Sequence, residues 1–336
     1  MTAIKEKIVL WTRRILPAAT QSDFQKKKTD FSVTSKSENS AFSTYASLYL
    51  YEGDLGVECN SGEIFCKRGM VKNRPQQRAE FFQPQFPGIK AVVTRKGRAY
   101  DAIVAVNHAL PANFRTLCLV VLANRALFEE AGIPEETPLF VSLNIGALPH
   151  MQDALEAGYF LPGPTLMTWQ REFVKAGRIY ELDFPVPSGS VISKTAERAR
   201  KTFDVRSTTS NSVVFLAPNE GSFAKSEYVE AFRQDPKFDA DQVQFVAPER
   251  ARLGEIVKGV ANAACLVGPT SPYLAAAIFR LPDRVSLVEI TDDGEPDPFH
   301  KELISSLGGN YVSVSNDASR IMAAVNEICP DTILNE

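Results

Sequence analysis

In the second half of the chain, short apolar runs alternate with longer amphipathic stretches. Ser212 to Leu216, Gln242 to Ala247, Cys265 to Val267, Ser286 to Ile290 and Asn310 to Val314 are rich in β-branched residues and have the length of buried strands. Between and after them, Lys225 to Arg233, Leu253 to Ala263, Tyr273 to Arg280 and Ala318 to Ile328 repeat apolar positions at helical spacing. Strand and helix in strict alternation predict a parallel sheet with helices on its faces, because parallel neighbours need a long crossover.

The first half is read the same way with more interruptions. Ile4, Ile8, Trp11 and Ile15 form a helical stripe that Pro17 ends, and the polar stretch Thr20 to Ser43, with its Lys26 to Lys28 run, reads as a linker. Tyr45 to Val93 breaks into small strands and hairpins punctuated by Gly and Pro. Cys118 to Ala131 has helical spacing and stops at Gly132-Ile133-Pro134, Pro138 to Asn144 reads as a buried strand, and Pro149 to Ala157 as a helix closed by Gly158. After the apolar segment Arg178 to Phe184, Pro185 to Ser193 reads as a crossover before a charged helix, Lys194 to Phe203. The pattern predicts parallel sheets in both halves. The expected organisation is an amphipathic helix and polar linker (1–44), an amino-terminal α/β domain (45–190) and a carboxyl-terminal Rossmann-like domain (191–336), with the final helix able to return to the first domain.

Composition narrows the function classes. A chain of 336 residues with 44% apolar content can bury two cores, and a formal net charge of −3 gives no global footprint for nucleic acid. The five cysteines form no CxxC pair, and His108, His150 and His300 are too scattered to suggest a metal site. No apolar run approaches the roughly 20 residues of a membrane span, so a cytoplasmic protein is expected. The amino-terminal stripe, flanked by Lys5, Lys7, Arg13 and Arg14, fits either a helix docked on its own domain or a weak peripheral contact with the inner membrane face.

The chemistry concentrates in Val260 to Ile290, VANAACLVGPTSPYLAAAIFRLPDRVSLVEI, which reads strand, loop, helix, strand. A helix amino terminus offers unpaired N–H groups and a positive dipole end, so a phosphate placed on the loop Gly268 to Pro272 is stabilised without a dedicated lysine. Thr270, Ser271 and the loop amides can bind phosphate oxygens, Tyr273 can lie along a base or sugar, and Glu289 can accept from ribose hydroxyls, with Asn219 and Lys225 closing the other side. The competing structural reading is an ordinary βαβ crossover in which Tyr273 anchors the core and Glu289 is a solvated strand end.

Several blocks between Tyr45 and Val314 resemble glycosyltransferase family 61, which includes bacterial capsular polysaccharide biosynthesis proteins and eukaryotic xylosyl- and N-acetylglucosaminyltransferases. NFRTLCLVVLANRALFEEAGIP from Asn113, LPHMQDALEAGYF from Leu148, FPVPSGSVISKTAERARKTF from Phe184 and the run from Gln244 to Ile290 carry the resemblance, the last most closely. It implies a GT-B-like fold of two Rossmann-like domains facing across a cleft. It also implies inverting transfer from a nucleotide sugar to a glycan or lipid-linked acceptor, without metal or other cofactor. The base is then expected in the first domain, among His108, Asp101, His150 and Asp153. The chain departs from the family at its usual His-Gly-Ala triplet, where Thr270, Ser271 and Pro272 stand, and at an expected histidine replaced by Thr116. Its usual arginines are also missing, since only Lys225 lies near the expected strand. These departures open the alternative of a catalytically impaired member that binds a glycan or a partner transferase. A further alternative is another GT-B-like enzyme, such as a pyruvyl or phosphosugar transferase.

Overall fold

The computed structural model describes residues 24–36, 41–58, 62–66, 69–71, 97–106, 111–168, 173–205, 212–216, 234, 243–280, 286–291 and 296–328, with the side chains of 35, 36, 41 and 42 excepted. The chain is α/β and divides into two units, one of residues 1–33 and 45–185, the other of residues 34–44 and 186–336. The expected amino-terminal helix and the Lys225 to Arg233 helix lie outside the described residues, Gln234 apart from them.

The first unit holds an eight-stranded sheet, but for the end of its first strand and the start of its second: β1 (Gln25–Lys36), β2 (Ala41–Glu58), β3 (Ile64–Cys66), β4 (Gly69–Met70), β5 (Ala99–Ala105), β6 (Leu139–Ser142), β7 (Thr165–Thr168) and β8 (Phe173–Asp183). Its order is β4-β3-β2-β8-β5-β6-β7, with β1 on β2. Strands β8, β5, β6 and β7 are parallel, whereas β2 runs antiparallel to both β8 and β3, so this sheet is mixed where the sequence predicts a parallel one. Hairpin-length connections between β2, β3 and β4 allow only antiparallel pairing.

The expected linker also differs, because Thr20 to Ser43 contains β1 and the start of β2. Residues 25–30 of β1 are exposed, so no hydrophobic alternation marks them as a strand; backbone pairing with β2 holds them. Lys26 lies 4.9 Å from the centroid of the Tyr49 ring, and Lys27 pairs with Glu52 at 3.5 Å. Lysines of this kind keep an edge strand soluble.

A single helical run, α1, comprises Phe114–Thr116, a π-helical Leu117–Leu122 and Ala123–Ala126. The side chain of Asn113 caps it by accepting from the Thr116 amide, and Gly132, at φ +65°, turns the chain away as the sequence predicts. On this run Arg125 is buried, donating from Nε to the Phe160 carbonyl at 3.0 Å and from Nη2 to the Leu161 carbonyl at 2.7 Å, with its guanidinium 4.6 Å from the Phe128 ring centroid. The short α2 (Leu143–Gly146) and α3 (Pro149–Glu156) follow β6.

In the second unit, α4 (Gly189–Thr202) leads into β9 (Ser212–Leu216), β10 (Val243–Val246), β11 (Ala263–Pro269), β12 (Ser286–Thr291) and β13 (Asn310–Ser315). All pairings are parallel and the order is β10-β9-β11-β12-β13. The connecting elements are α5 (Leu253–Ala261), a 3-10 helix (Pro272–Arg280), α6 (Pro298–Ser306) and finally α7 (Ala318–Ile328). On one face Ile321, Ala324, Val325 and Ile328 of α7 pack on Val213, Phe215, Cys265, Val267, Val288 and Ile290. The final helix therefore packs on the sheet of the second unit. Helices α4 and α5 and the 3-10 helix pack together, and Arg200 of α4 donates to the Ala261 carbonyl at 3.1 Å. Among the described residues no helix is long and apolar enough to cross a membrane.

Arg125 supplies two charge-assisted bonds to carbonyls, a buried one to Phe160 and a part-buried one to Leu161, each contributing about 1.5–3 kcal/mol. Arg125→Ala is expected to lower the urea midpoint by an amount equivalent to about 3 kcal/mol. Arg125→Lys should recover less than half of that, because an ammonium lacks the fork that reaches both carbonyls. Equilibrium denaturation of the two variants measures both outcomes.

Candidate functional site

Parallel strands all end at one edge of a sheet, and ligands in open α/β sheets bind there, where the strand order reverses. In the second unit that reversal lies at β9, flanked by β10 on one side and β11 on the other. The loops leaving β10 and β11 start on either side of β9, so the crevice lies over the end of that strand.

On the β10 side, Phe245, Val246, Ala247, Arg250, Ala251 and Glu255 line an open pocket of about 400 Å³. Its base is firm, because the rings of Phe215 and Phe245 stack with centroids 5.3 Å apart and planes 13° off parallel. Glu255 also accepts from the Arg252 amide at 2.8 Å, fixing the start of α5. On the β11 side, the chain passes through Gly268 and Pro269, the last residues of the strand, to Thr270, Ser271 and the 3-10 helix. A Cβ at Gly268 would lie 2.7 Å from the Leu216 carbonyl oxygen and 3.0 Å from Leu274, so only glycine permits this approach of β11 to the end of β9. Burial raises the pKa of Tyr273, and the charge of Glu249, from the opposite loop, raises it further. The Ser271 hydroxyl oxygen is shielded from solvent and has no hydrogen-bond partner, which is unusual for a buried polar atom.

Glu289 is fully buried on β12, in register with Gly268 of β11 and Ser313 of β13. His300 Nδ1 lies 3.0 Å from its Oε1, which the Asp297 amide also approaches at 3.4 Å, and Tyr311 donates to Oε2 at 2.6 Å. A carboxylate only accepts, so Nδ1 of His300 carries the proton. Burial alone would raise the Glu289 pKa, but the hydrogen bonds with His300 and Tyr311 outweigh it and hold the carboxyl below its ordinary value; the Thr270 hydroxyl donates instead to the Ile290 carbonyl, at 3.5 Å. Burial and the bond to Glu289 push the Tyr311 phenol well above its own ordinary value. Glu289 is thus neither the ribose acceptor nor the solvated strand end that the sequence suggests; both of its oxygens are engaged inside the unit.

Gly268, Thr270, Ser271 and Tyr273 follow one another from the end of β11 into the 3-10 helix, and Glu289 lies beside Gly268 on β12. Asn219, Lys225 and His108 lie outside the described residues. His150 and Asp153 belong to the first unit, on α3. His150 is buried, with its ring edge-on to Phe114 at a centroid distance of 5.0 Å, whereas Asp153 is half-buried. Asp101 is exposed on β5. Among the described residues no group of three or more His, Cys, Asp or Glu is placed to hold a metal ion.

Three participants escape the sequence reading. Arg250 reaches the crevice from the β10 loop, whereas the sequence argument looks for arginines after β9. His300 and Tyr311 become partners of Glu289 only through packing of α6 and pairing of β13. The signal for α6 was present: Asp297 caps it by accepting from the Phe299 amide at 3.0 Å, and Pro298 occupies its first turn. Against models of known protein families and against curated proteins, the chain matches none.

A carboxyl whose pKa is depressed by folding stabilises the folded state above its unfolded pKa, and that contribution fades as pH falls through the lower folded value. Glu289 should therefore contribute fully above about pH 4.5, its ordinary value, and progressively less below it. Urea midpoints of Glu289→Gln should be lower than the parent's near neutrality and converge with them as the pH falls through the acid range. A constant gap would show that Glu289 is not the titrating group.

Proposed function

We propose that the second unit binds a nucleotide-activated sugar at the crevice over β9, and that the protein transfers the sugar to a glycan or lipid-linked acceptor in cell-surface polysaccharide assembly. The observation that supports this reading is an unpartnered Ser271 hydroxyl in the loop after β11, together with Arg250 in the pocket after β10, both beyond the carboxyl ends of a parallel sheet. A diphosphate would receive a guanidinium from the β10 loop and a hydroxyl from the β11 loop, while Tyr273 offers a ring to the base or sugar. Arg250 can take the part of the arginines missing from the family pattern. In a GT-B-like enzyme of this kind the second unit supplies the donor site and the first unit the acceptor site, with a carboxylate such as Asp153 as candidate base.

The burial of His150 favours one competing reading, a binding protein that has kept the donor site and lost transfer. Turnover of a bound nucleotide sugar separates the two.

A panel of nucleotides and nucleotide sugars should include one that stabilises the parent by about 2.7 kcal/mol at a hundred times its dissociation constant. Arg250→Ala, at an exposed position, should weaken that ligand about tenfold, or about 1.4 kcal/mol, and flatten the salt dependence of binding. Ser271→Asp, which sets a negative charge against the diphosphate, should weaken it at least as much. Calorimetry gives the affinities, and binding unchanged in both variants would remove the crevice as the donor site.

A further inference from the structure

Near the start of β2, Tyr45, Ser47 and Tyr49 occupy every second position, and a strand sets such residues on one face of its sheet. The neighbouring strands complete that face. Asp183, the last residue of β8, stands opposite Ser47 in register, and from β1 the carboxylate of Asp30 accepts from the Ser47 hydroxyl. Lys28 pairs with Asp30 at 2.9 Å, and the Lys26 ammonium lies over the Tyr49 ring. All of these residues belong to the first unit. Because β8 is parallel to β5, and β5 and β7 to β6, the cluster stands at the edge where these parallel strands end, the edge at which open α/β sheets take their ligands. It is open to solvent: Lys26, Lys28 and Asp30 are exposed, and Tyr45, at 80%, is the most exposed large apolar side chain among the described residues.

The chemistry of this face selects its ligand. The ammonium groups of Lys26 and Lys28 balance the carboxylates of Asp30 and Asp183, so the face attracts neither an anion nor a cation by net charge. It does set donors and acceptors side by side, which suits a ligand whose polar groups can each do both, as a sugar hydroxyl can. An exposed phenol ring beside them offers apolar surface to the flat C–H face of a pyranose. A protein surface would strip the charges of water, whereas sugar hydroxyls take the place of that water. We propose that this face of β1, β2 and β8 binds a neutral glycan chain, with Tyr45 stacked on a sugar ring and Lys28, Asp30 and Ser47 hydrogen-bonding its hydroxyls. The inference rests on the reading of the first unit as the acceptor side and deepens it, because the glycan held here is the acceptor.

The test is calorimetric titration of the full chain with maltohexaose, cellohexaose, mannohexaose and chitohexaose, and with hexagalacturonate as the anionic comparison. A neutral hexasaccharide should bind, and more tightly than hexagalacturonate. Tyr45→Ala and Asp30→Ala, both at exposed positions, should each weaken it about tenfold, with urea midpoints that match the parent's. Tyr45→Phe, which keeps the ring, should bind as the parent does and guards against a folding defect in Tyr45→Ala. Leu161→Ala, which removes the other exposed large apolar side chain, should leave the affinity unchanged. No binding of any oligosaccharide to the parent, or parental affinity in both Tyr45→Ala and Asp30→Ala, would overturn the proposal. So would a Tyr45→Ala change confined to oligomeric state in sedimentation, the mark of a protein contact. The two readings fail separately. A parent that binds the glycan but turns over no nucleotide sugar keeps this face and loses the transferase, whereas an active enzyme whose two variants retain the parental acceptor KM keeps the transferase and loses this face.

Discussion

A strand laid parallel to its neighbour can be reached only by a crossover that returns the chain to the opposite edge of the sheet. In the second unit this applies to every one of the strands β9 to β13, so every connection begins at the same edge. The crevice, the glycine contact at the end of β9 and the loop carrying Thr270 and Ser271 are consequences of that rule. Placing β10 and β11 on opposite sides of β9 then keeps two of those loops apart. The first unit does not share the constraint, because the antiparallel pairing of β2 with β8 and β3 spreads its connections over both edges.

A carboxylate removed from water loses several kcal/mol of solvation, which nearby donors must offset. Glu289 meets this with bonds to both oxygens, one from α6 and one from β13. A cluster built this way ties α6 and β13 to one strand. Apolar packing tolerates small slips, whereas hydrogen bonds to a charge fix direction as well as distance.

The central strands of the second unit, β9, β11 and β12, are legible in the sequence because burial makes them largely apolar; Ser212–Leu216 is read without error. The long helical stretch beginning at Phe114 is legible for its spacing and its glycine stop. Strand β1 is invisible for the opposite reason: its outward lysines are held by backbone pairing, which leaves no mark on hydropathy. The loop of the candidate site is found from local order alone, since strand, glycine, proline and helix follow one another within a few residues. Arg250, His300 and Tyr311 are not, because their roles depend on which strands become neighbours, a property of the sheet order that no local window contains. Glu289 illustrates both sides: its strand is predicted, while its burial and partners are set by elements before and after it.

The second unit is not one continuous length of chain. Residues 34–44, which hold the end of β1 and the start of β2, belong to it although residues 45–185 of the first unit separate them from residue 186. Within it Ser188, the residue before α4, donates to the Thr44 hydroxyl at 2.9 Å. A fragment begun at Val186 would therefore lack Thr44 and expose Ser188, just ahead of the buried Val191 and Ile192 of α4. The natural seam for dividing this protein, or for grafting its second unit onto another, does not lie at a single point in the gene. Residues 34–44 must travel with the carboxyl-terminal half, rejoined through a short linker, for the recombined piece to keep the surroundings of its first helix.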